Sequence, residues 1–145
     1  MKGQKTLFSS ASEEWATPQE LFDKLNEEFC FTLDPCATDQ NHKCEQYFTK
    51  EQDGLKMDWG GQRVFCNPPY GRSLKEWVRK CYTEGLKEGT VVVMLIPART
   101  DTQYFHDYIQ HRSEVRFIRG RLKFGEAENG APFPSMIVVY RAPGM

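Results

Sequence analysis

A chain of 145 residues has room for one compact domain with a single core and little for a second. Hydrophobic residues at 39%, charged residues at 27% and a net charge of −1 describe an ordinary globular protein, without the strong basic excess that announces a nucleic-acid partner. No apolar run approaches membrane-spanning length, no signal-type stretch follows Met1-Lys2-Gly3-Gln4-Lys5, and five cysteines in no tight framework suit free thiols, so a cytoplasmic location without membrane attachment is expected.

Residues 1–12 are polar and small and read as a flexible tail, leaving residues 13–145 as one domain. Thr17-Pro18-Gln19-Glu20 reads as a helix start, with Thr17 as cap and Pro18 in the first turn. Leu21, Phe22, Leu25 and Phe29 follow at helical spacing and mark one buried face. Phe31-Thr32-Leu33 is a short strand ending at Asp34-Pro35. The polar stretch 37–61 carries one strand near Gln46-Tyr47-Phe48 and a loop through Asp53-Gly54. Val64-Phe65-Cys66 is a clearer strand, and Ser73 caps a helix over Leu74–Gly85 that buries Leu74, Trp77, Val78 and Cys81. Thr90–Ile96 is a continuous apolar run, the pattern of a strand covered on both faces. A helix over Asp101–Gln110 and strands at Val115–Ile118 and Ser135–Tyr140 complete the chain. Strands alternating with helices predict an α/β sandwich with a mainly parallel sheet and an antiparallel C-terminal strand. In such sheets ligands sit at the carboxyl ends of strands, where Asp34-Pro35, Asn67-Pro68-Pro69-Tyr70 and Pro97-Ala98-Arg99 all fall.

Asn67-Pro68-Pro69-Tyr70 suits chemistry on a planar amino group. The Asn67 side-chain oxygen and the Pro68 carbonyl can accept hydrogen bonds from an exocyclic NH2, two prolines stiffen the loop and remove donors, and Tyr70 offers a flat face for stacking. Accepting the amino protons returns electron density to a poorly nucleophilic nitrogen and aims its lone pair at an electrophilic methyl group. A Pro-Pro turn that merely closes a strand is an equal reading of the tetrapeptide alone. His111, Arg112, Arg116, Arg119, Arg121 and Lys123 crowd a segment whose acid is Glu114, a stripe that suits either phosphates or a solvated sheet edge.

The order of blocks Trp15-Ala16-Thr17-Pro18, Leu33-Asp34-Pro35-Cys36-Ala37, Asp58-Trp59, Phe65 to Tyr70, Pro97 to Asp101 and Gly120 to Phe124 resembles the phage-type DNA N-6-adenine methyltransferases, over about residues 13 to 142. The resemblance implies a Rossmann-like fold, S-adenosylmethionine as methyl donor and adenine in double-stranded DNA as acceptor, in a phage- or prophage-encoded protein. It places Asn67, Pro68, Pro69 and Tyr70 around a flipped adenine. It assigns Trp15, Thr17 and Pro18 to the methionine part of the cofactor and Asp34, Pro35, Cys36 and Ala37 to the cofactor loop. Asp58 is the candidate for the cofactor's adenine end. Arg99, Arg119, Arg121 and Lys123 become candidate DNA contacts. The turn after the first strand lacks the glycines many methyltransferases carry there; a cofactor without phosphate does not require a phosphate cradle.

Cys36, His42 and Cys44 fit no standard zinc spacing, and no metal is expected. Asp101 reads as a helix cap. The rival functions are methylation of a protein glutamine or an RNA base, and a non-catalytic DNA-binding relic of the same fold; the intact Asn67–Tyr70 motif weighs against the relic.

Overall fold

The apolar run after Thr90 becomes β4 (Val91–Pro97), buried at every position, and the rest of the protein is arranged around it. The computed structural model describes residues 15–125 and 127–142, so the expected N-terminal tail lies outside the described residues. Chain order gives α1 (Gln19–Phe29), β1 (Leu33–Ala37), β2 (Gln46–Thr49), a 3-10 turn (Gly54–Lys56), β3 (Arg63–Cys66), α2 (Leu74–Gly85), β4, a π-helical turn (Phe105–Ile109), β5 (Glu114–Phe117) and β6 (Ser135–Arg141). The six strands form one sheet in the order β2-β1-β3-β4-β6-β5.

β1, β2, β3 and β4 run parallel, and β6 is inserted antiparallel between β4 and β5. This mixed α/β sheet with an antiparallel C-terminal pair is the predicted class and agrees with a methyltransferase fold. β4 and β6 pair along their full lengths, from Val91 opposite Arg141 to Pro97 opposite Ser135, which explains the unbroken apolar runs of both.

Helices cover both faces because side chains along a strand alternate. On β3, Phe65 packs edge-on against Phe22 of α1 at 5.2 Å, and Phe31 joins the same aromatic group. The next residue, Cys66, faces the other way and meets Cys81 of α2. β5 runs in the same direction as β4, so the connection 118–134 leaves and returns at the carboxyl edge of the sheet, where β1 and β3 also end.

Three local expectations are corrected. Pro18, not Thr17, occupies the cap position of α1, with ψ 131 and no side-chain cap, because the Thr17 hydroxyl is engaged elsewhere. β1 begins only at Leu33, leaving Phe31 and Thr32 outside it, and runs on through Asp34 and Pro35 instead of ending there, with the pairing to β2 irregular between Asp34 and Ala37, where a proline without an N–H is tolerated. After β4 the expected ten-residue helix shrinks to a turn and one wide π-helical coil, closed by Gln110 N–H to the Phe105 carbonyl at 2.8 Å. Its start is tied by Thr102, whose Oγ1 donates to the Arg99 carbonyl at 2.8 Å, while Asp101 stays exposed.

Candidate active site

At the carboxyl ends of β1, β2 and β3 the structure opens a cavity of about 880 Å³. β1 contributes Asp34, Pro35, Cys36 and Ala37; the loop after β3 contributes Asn67, Pro68 and Pro69; Trp15 and Thr17 close one side. Two of the three strand-end loops therefore converge as expected. The third does not: Arg99 is exposed beyond β4 and does not line the cavity.

Asn67 is the most informative side chain of the site. Its Nδ2 donates to the Trp15 carbonyl and to Thr17 Oγ1, the latter at 2.9 Å. Its Oδ1 is buried and has no hydrogen-bond partner among the described residues. A buried acceptor left unpaired costs roughly 1–3 kcal/mol, so a site that keeps one is set up to receive a donor.

Tyr70 has a different environment from the open face expected of it. It is 5% exposed, its hydroxyl donates to the Leu95 carbonyl at 3.1 Å, and burial raises its pKa far above the ordinary phenol value. Trp15 lies nearly parallel to it, with ring centroids 6.4 Å apart, and Phe124 and Phe133 meet it edge-on. The tetrapeptide thus splits by role: Asn67, Pro68 and Pro69 face the cavity, and Tyr70 anchors the loop from beneath.

Asp34 is almost fully buried, and both carboxylate oxygens are satisfied locally, by the N–H groups of Cys36 at 3.2 Å and Lys43 at 2.9 Å. Burial raises its pKa, and those two backbone bonds oppose the rise. Its first duty is to shape the turn after β1. Burial also pushes up the thiols of Cys36, Cys66 and Cys81; Cys66, without exposure in the core, is a packing residue. His42 stacks on Tyr47 at 4.0 Å and its Nδ1 pairs with the Cys44 carbonyl.

Asp58 is placed away from the cavity. Its exposed carboxylate pairs with Lys87 at 2.8 Å and accepts from Gly60 N–H, and the neighbouring Trp59 is a core residue with no exposure. Besides Asp34, the acids that line the cavity are Asp39, Glu51 and Asp53, from the stretch without clear periodicity. Gly54 and Trp77 form more of its wall and were also missed; the Asp53-Gly54 dipeptide just past β2 was the available signal.

Arg119, Arg121 and Lys123 are exposed on the 118–134 connection, at the carboxyl edge of the sheet. Arg121 also donates to the Ala131 carbonyl at 3.3 Å. The same connection touches the cavity's flank: Gly125 N–H donates to the Ala16 carbonyl at 2.9 Å, and Phe124 and Phe133 pack on Trp15. Arg116 leaves the basic stripe, since Glu28 and Glu114 neutralise it.

A strand-end cavity in a mainly parallel sheet, edged by a stiff Asn-Pro-Pro loop with an unpaired amide oxygen, agrees with a methyltransferase. A family model described as DNA N-6-adenine-methyltransferase (Dam) matches residues 4–142, and the chain belongs to that family. It is 31% identical over 134 residues to the DNA N-6-adenine-methyltransferase of Haemophilus phage HP1 (strain HP1c1), covering 87% of this chain and 77% of the relative. It is 32% identical over 110 residues to the DNA N-6-adenine-methyltransferase of Escherichia phage T1, covering 74% of this chain and 45% of that one. The protein is thus a DNA adenine-N6 methyltransferase, with DNA as substrate and a methyl donor as co-substrate. No helix among the described residues is long and apolar enough to cross a membrane.

Proposed function

We propose that the protein transfers a methyl group from S-adenosylmethionine to the N6 amino group of an adenine rotated out of duplex DNA, with Asn67 and Pro68 holding the amine. The unpaired Oδ1 of Asn67 carries this reading. Exocyclic N6–H2 is the donor it lacks. The carbonyl of Pro68, a residue at the same cavity edge, accepts a hydrogen bond from the second N6–H. Both bonds concentrate lone-pair density on N6 and orient it, so catalysis comes from positioning and charge complementarity.

The cavity suits the donor. At about 880 Å³ it lies within the roughly 300–1,000 Å³ typical of sites for ligands of this size. Its wall mixes apolar surface from Pro35, Leu55 and Trp77 with the carboxylates of Glu51 and Asp53, which match an adenine ring, a ribose diol and a cationic amine. When bound, S-adenosylmethionine supplies an electrophilic methyl group on a positively charged sulfur. Pro35, Cys36 and Ala37 form the β1 side of that site, and Trp15 and Thr17 border it next to Asn67. Extruding the adenine costs a few kcal/mol, offset by stacking against the Trp15 and Tyr70 group and by the two amine bonds. Arg99, Arg119, Arg121 and Lys123 contact phosphates around the extruded nucleotide.

The test is transfer of labelled methyl from S-adenosylmethionine to unmethylated duplex DNA, followed by nucleoside analysis. Label is expected in N6-methyl-2′-deoxyadenosine. Asn67→Ala should lower the rate on the order of 10²–10³-fold, the usual cost of one preorganised polar contact to a reacting group, with cofactor binding by calorimetry retained. A normal rate in Asn67→Ala removes Asn67 from the chemistry.

A further inference from the structure

The amide of Asn67 has one acceptor and two N–H donors, and a half-turn about its last bond exchanges them with almost no change of shape. Only one orientation serves the reaction. With Oδ1 toward the acceptor amine, Asn67 accepts a hydrogen bond from it; with Nδ2 there, two donors meet and the amine is repelled. Something must therefore choose between the two.

The structure shows two oxygens placed to make that choice: the Trp15 carbonyl, which can only accept, and Thr17 Oγ1, which accepts in this orientation and adds to the bias. The Trp15 carbonyl and Thr17 Oγ1 each receive one Nδ2 hydrogen, which uses up the donor end of the amide. Thr17 is itself 5% exposed, so solvent does not readily take over the role of its hydroxyl. We propose that Thr17 is a positioning residue of the methyl transfer: its Oγ1, together with the Trp15 carbonyl, locks the Asn67 amide with Oδ1 facing the acceptor amine. The inference rests on the assignment of Asn67 above, and it gives Thr17 a role different from contact with the methionine part of the cofactor.

The segment that carries Thr17 is held by other bonds. Gly125 N–H donates to the Ala16 carbonyl at 2.9 Å, and Phe22 N–H donates to the Pro18 carbonyl at 3.1 Å. The Trp15 ring is wedged against Tyr70, Phe124 and Phe133. Losing the Thr17 hydroxyl therefore removes one of the two bonds that hold the Asn67 amide, without freeing the segment. The bond also ties chain regions 50 residues apart, so sequence spacing gives no hint of it.

Thr17→Val keeps the shape of the side chain and removes the acceptor. It should reduce kcat roughly 10–100-fold, the range typical when a partner that orients a reacting group is lost. Calorimetric affinity for S-adenosylmethionine and the midpoint of thermal unfolding should stay close to the parent values. Thr17→Ser, which restores the acceptor, should recover most of the rate. In an Asn67→Ala background, Thr17→Val should cost nothing further. Thr17→Ala, also without an acceptor, carries the same expectation if the valine variant does not fold. An unchanged kcat in Thr17→Val, a loss expressed as weaker cofactor binding, or a loss that serine does not rescue overturns the positioning role. If Asn67→Ala is itself fully active, the assignment of Asn67 fails and the Thr17 role fails with it. If Asn67→Ala is inactive while Thr17→Val is normal, only the Thr17 role fails.

Discussion

Two residues of one tetrapeptide show how differently neighbours can be used. Asn67 keeps a buried oxygen unpaired at the cavity edge, while the Tyr70 hydroxyl is spent on the Leu95 carbonyl and its ring on three aromatic neighbours. The two substitutions at Tyr70 should therefore separate. Tyr70→Phe removes one neutral hydrogen bond, about 1 kcal/mol, and should keep fold and most activity. Tyr70→Ala leaves a cavity under Trp15, costs about 3–5 kcal/mol and should abolish activity by releasing the loop. Paired thermal melts and methyl-transfer rates check this; equal melting points for the two variants would mean that the ring supports nothing. At this scale the sequence was legible where residue type alone dictates chemistry. An amide beside two prolines at a strand end reads directly as an acceptor site. It was not legible where a polar side chain had several possible partners. Thr17 looks like a helix cap and Asp58 like a strand-end ligand, and only the fold reveals that one binds Asn67 and the other Lys87.

Among the elements, those with strong hydrophobic periodicity were legible and those built on close backbone approach were not. The full burial of β4 and the inner face of α2, with Leu74, Trp77, Val78 and Cys81, follow from apolar spacing alone. Asp34-Pro35 looks like a strand stop in the sequence, so the strand is expected at Phe31–Leu33; it lies two residues further on, at Leu33–Ala37. In the fold, the buried Asp34 carboxylate takes two backbone N–H groups and lets the strand continue. The 3-10 turn at Gly54–Lys56 was invisible for a related reason: it is defined by what a side chain would strike. A Cβ on Gly54 would lie 2.3 Å from the Pro35 carbonyl oxygen and 3.1 Å from the Trp77 ring, and the Gly54 carbonyl accepts from Trp59 Nε1 at 3.0 Å. Pro35, Gly54 and Trp77 all line the cavity, so this contact sets its width. Gly54→Ala should push the turn away from β1, lower stability by about 1–3 kcal/mol as an overpacked site does, and weaken binding of S-adenosylmethionine. A melt and a calorimetric titration read both effects, and unchanged affinity would mean that the turn does not shape the cofactor wall.

The whole molecule carries a net charge of −1, so attraction of DNA must come from where its cations stand. Screening at physiological salt acts over about 8 Å, which confines each exposed charge to its own neighbourhood. The segment 111–123 looks like one basic stripe, but the fold divides it. Arg116 on β5 is held by Glu28 at 2.7 Å and Glu114 at 2.5 Å, an ion-pair group that joins β5 to α1 and draws in Arg141 of β6. Arg119 and Lys123 lie further along, exposed on the connection that packs against Trp15 and Ala16, and under the proposed function they meet the phosphates of a nucleotide entering the cavity. Each cation that neutralises a phosphate on binding releases condensed counterions, so its loss should make the dependence of log affinity on log salt shallower by about one unit. Arg119→Ala and Lys123→Ala should each show that change in duplex titrations across a salt series, with affinity falling alike for different sequences. Arg116→Ala, already paired within the protein, should leave the slope where it was and lower the melting point instead. If Arg116→Ala flattens the slope while Arg119→Ala and Lys123→Ala do not, DNA approaches along the β5 edge and not across the mouth of the cavity.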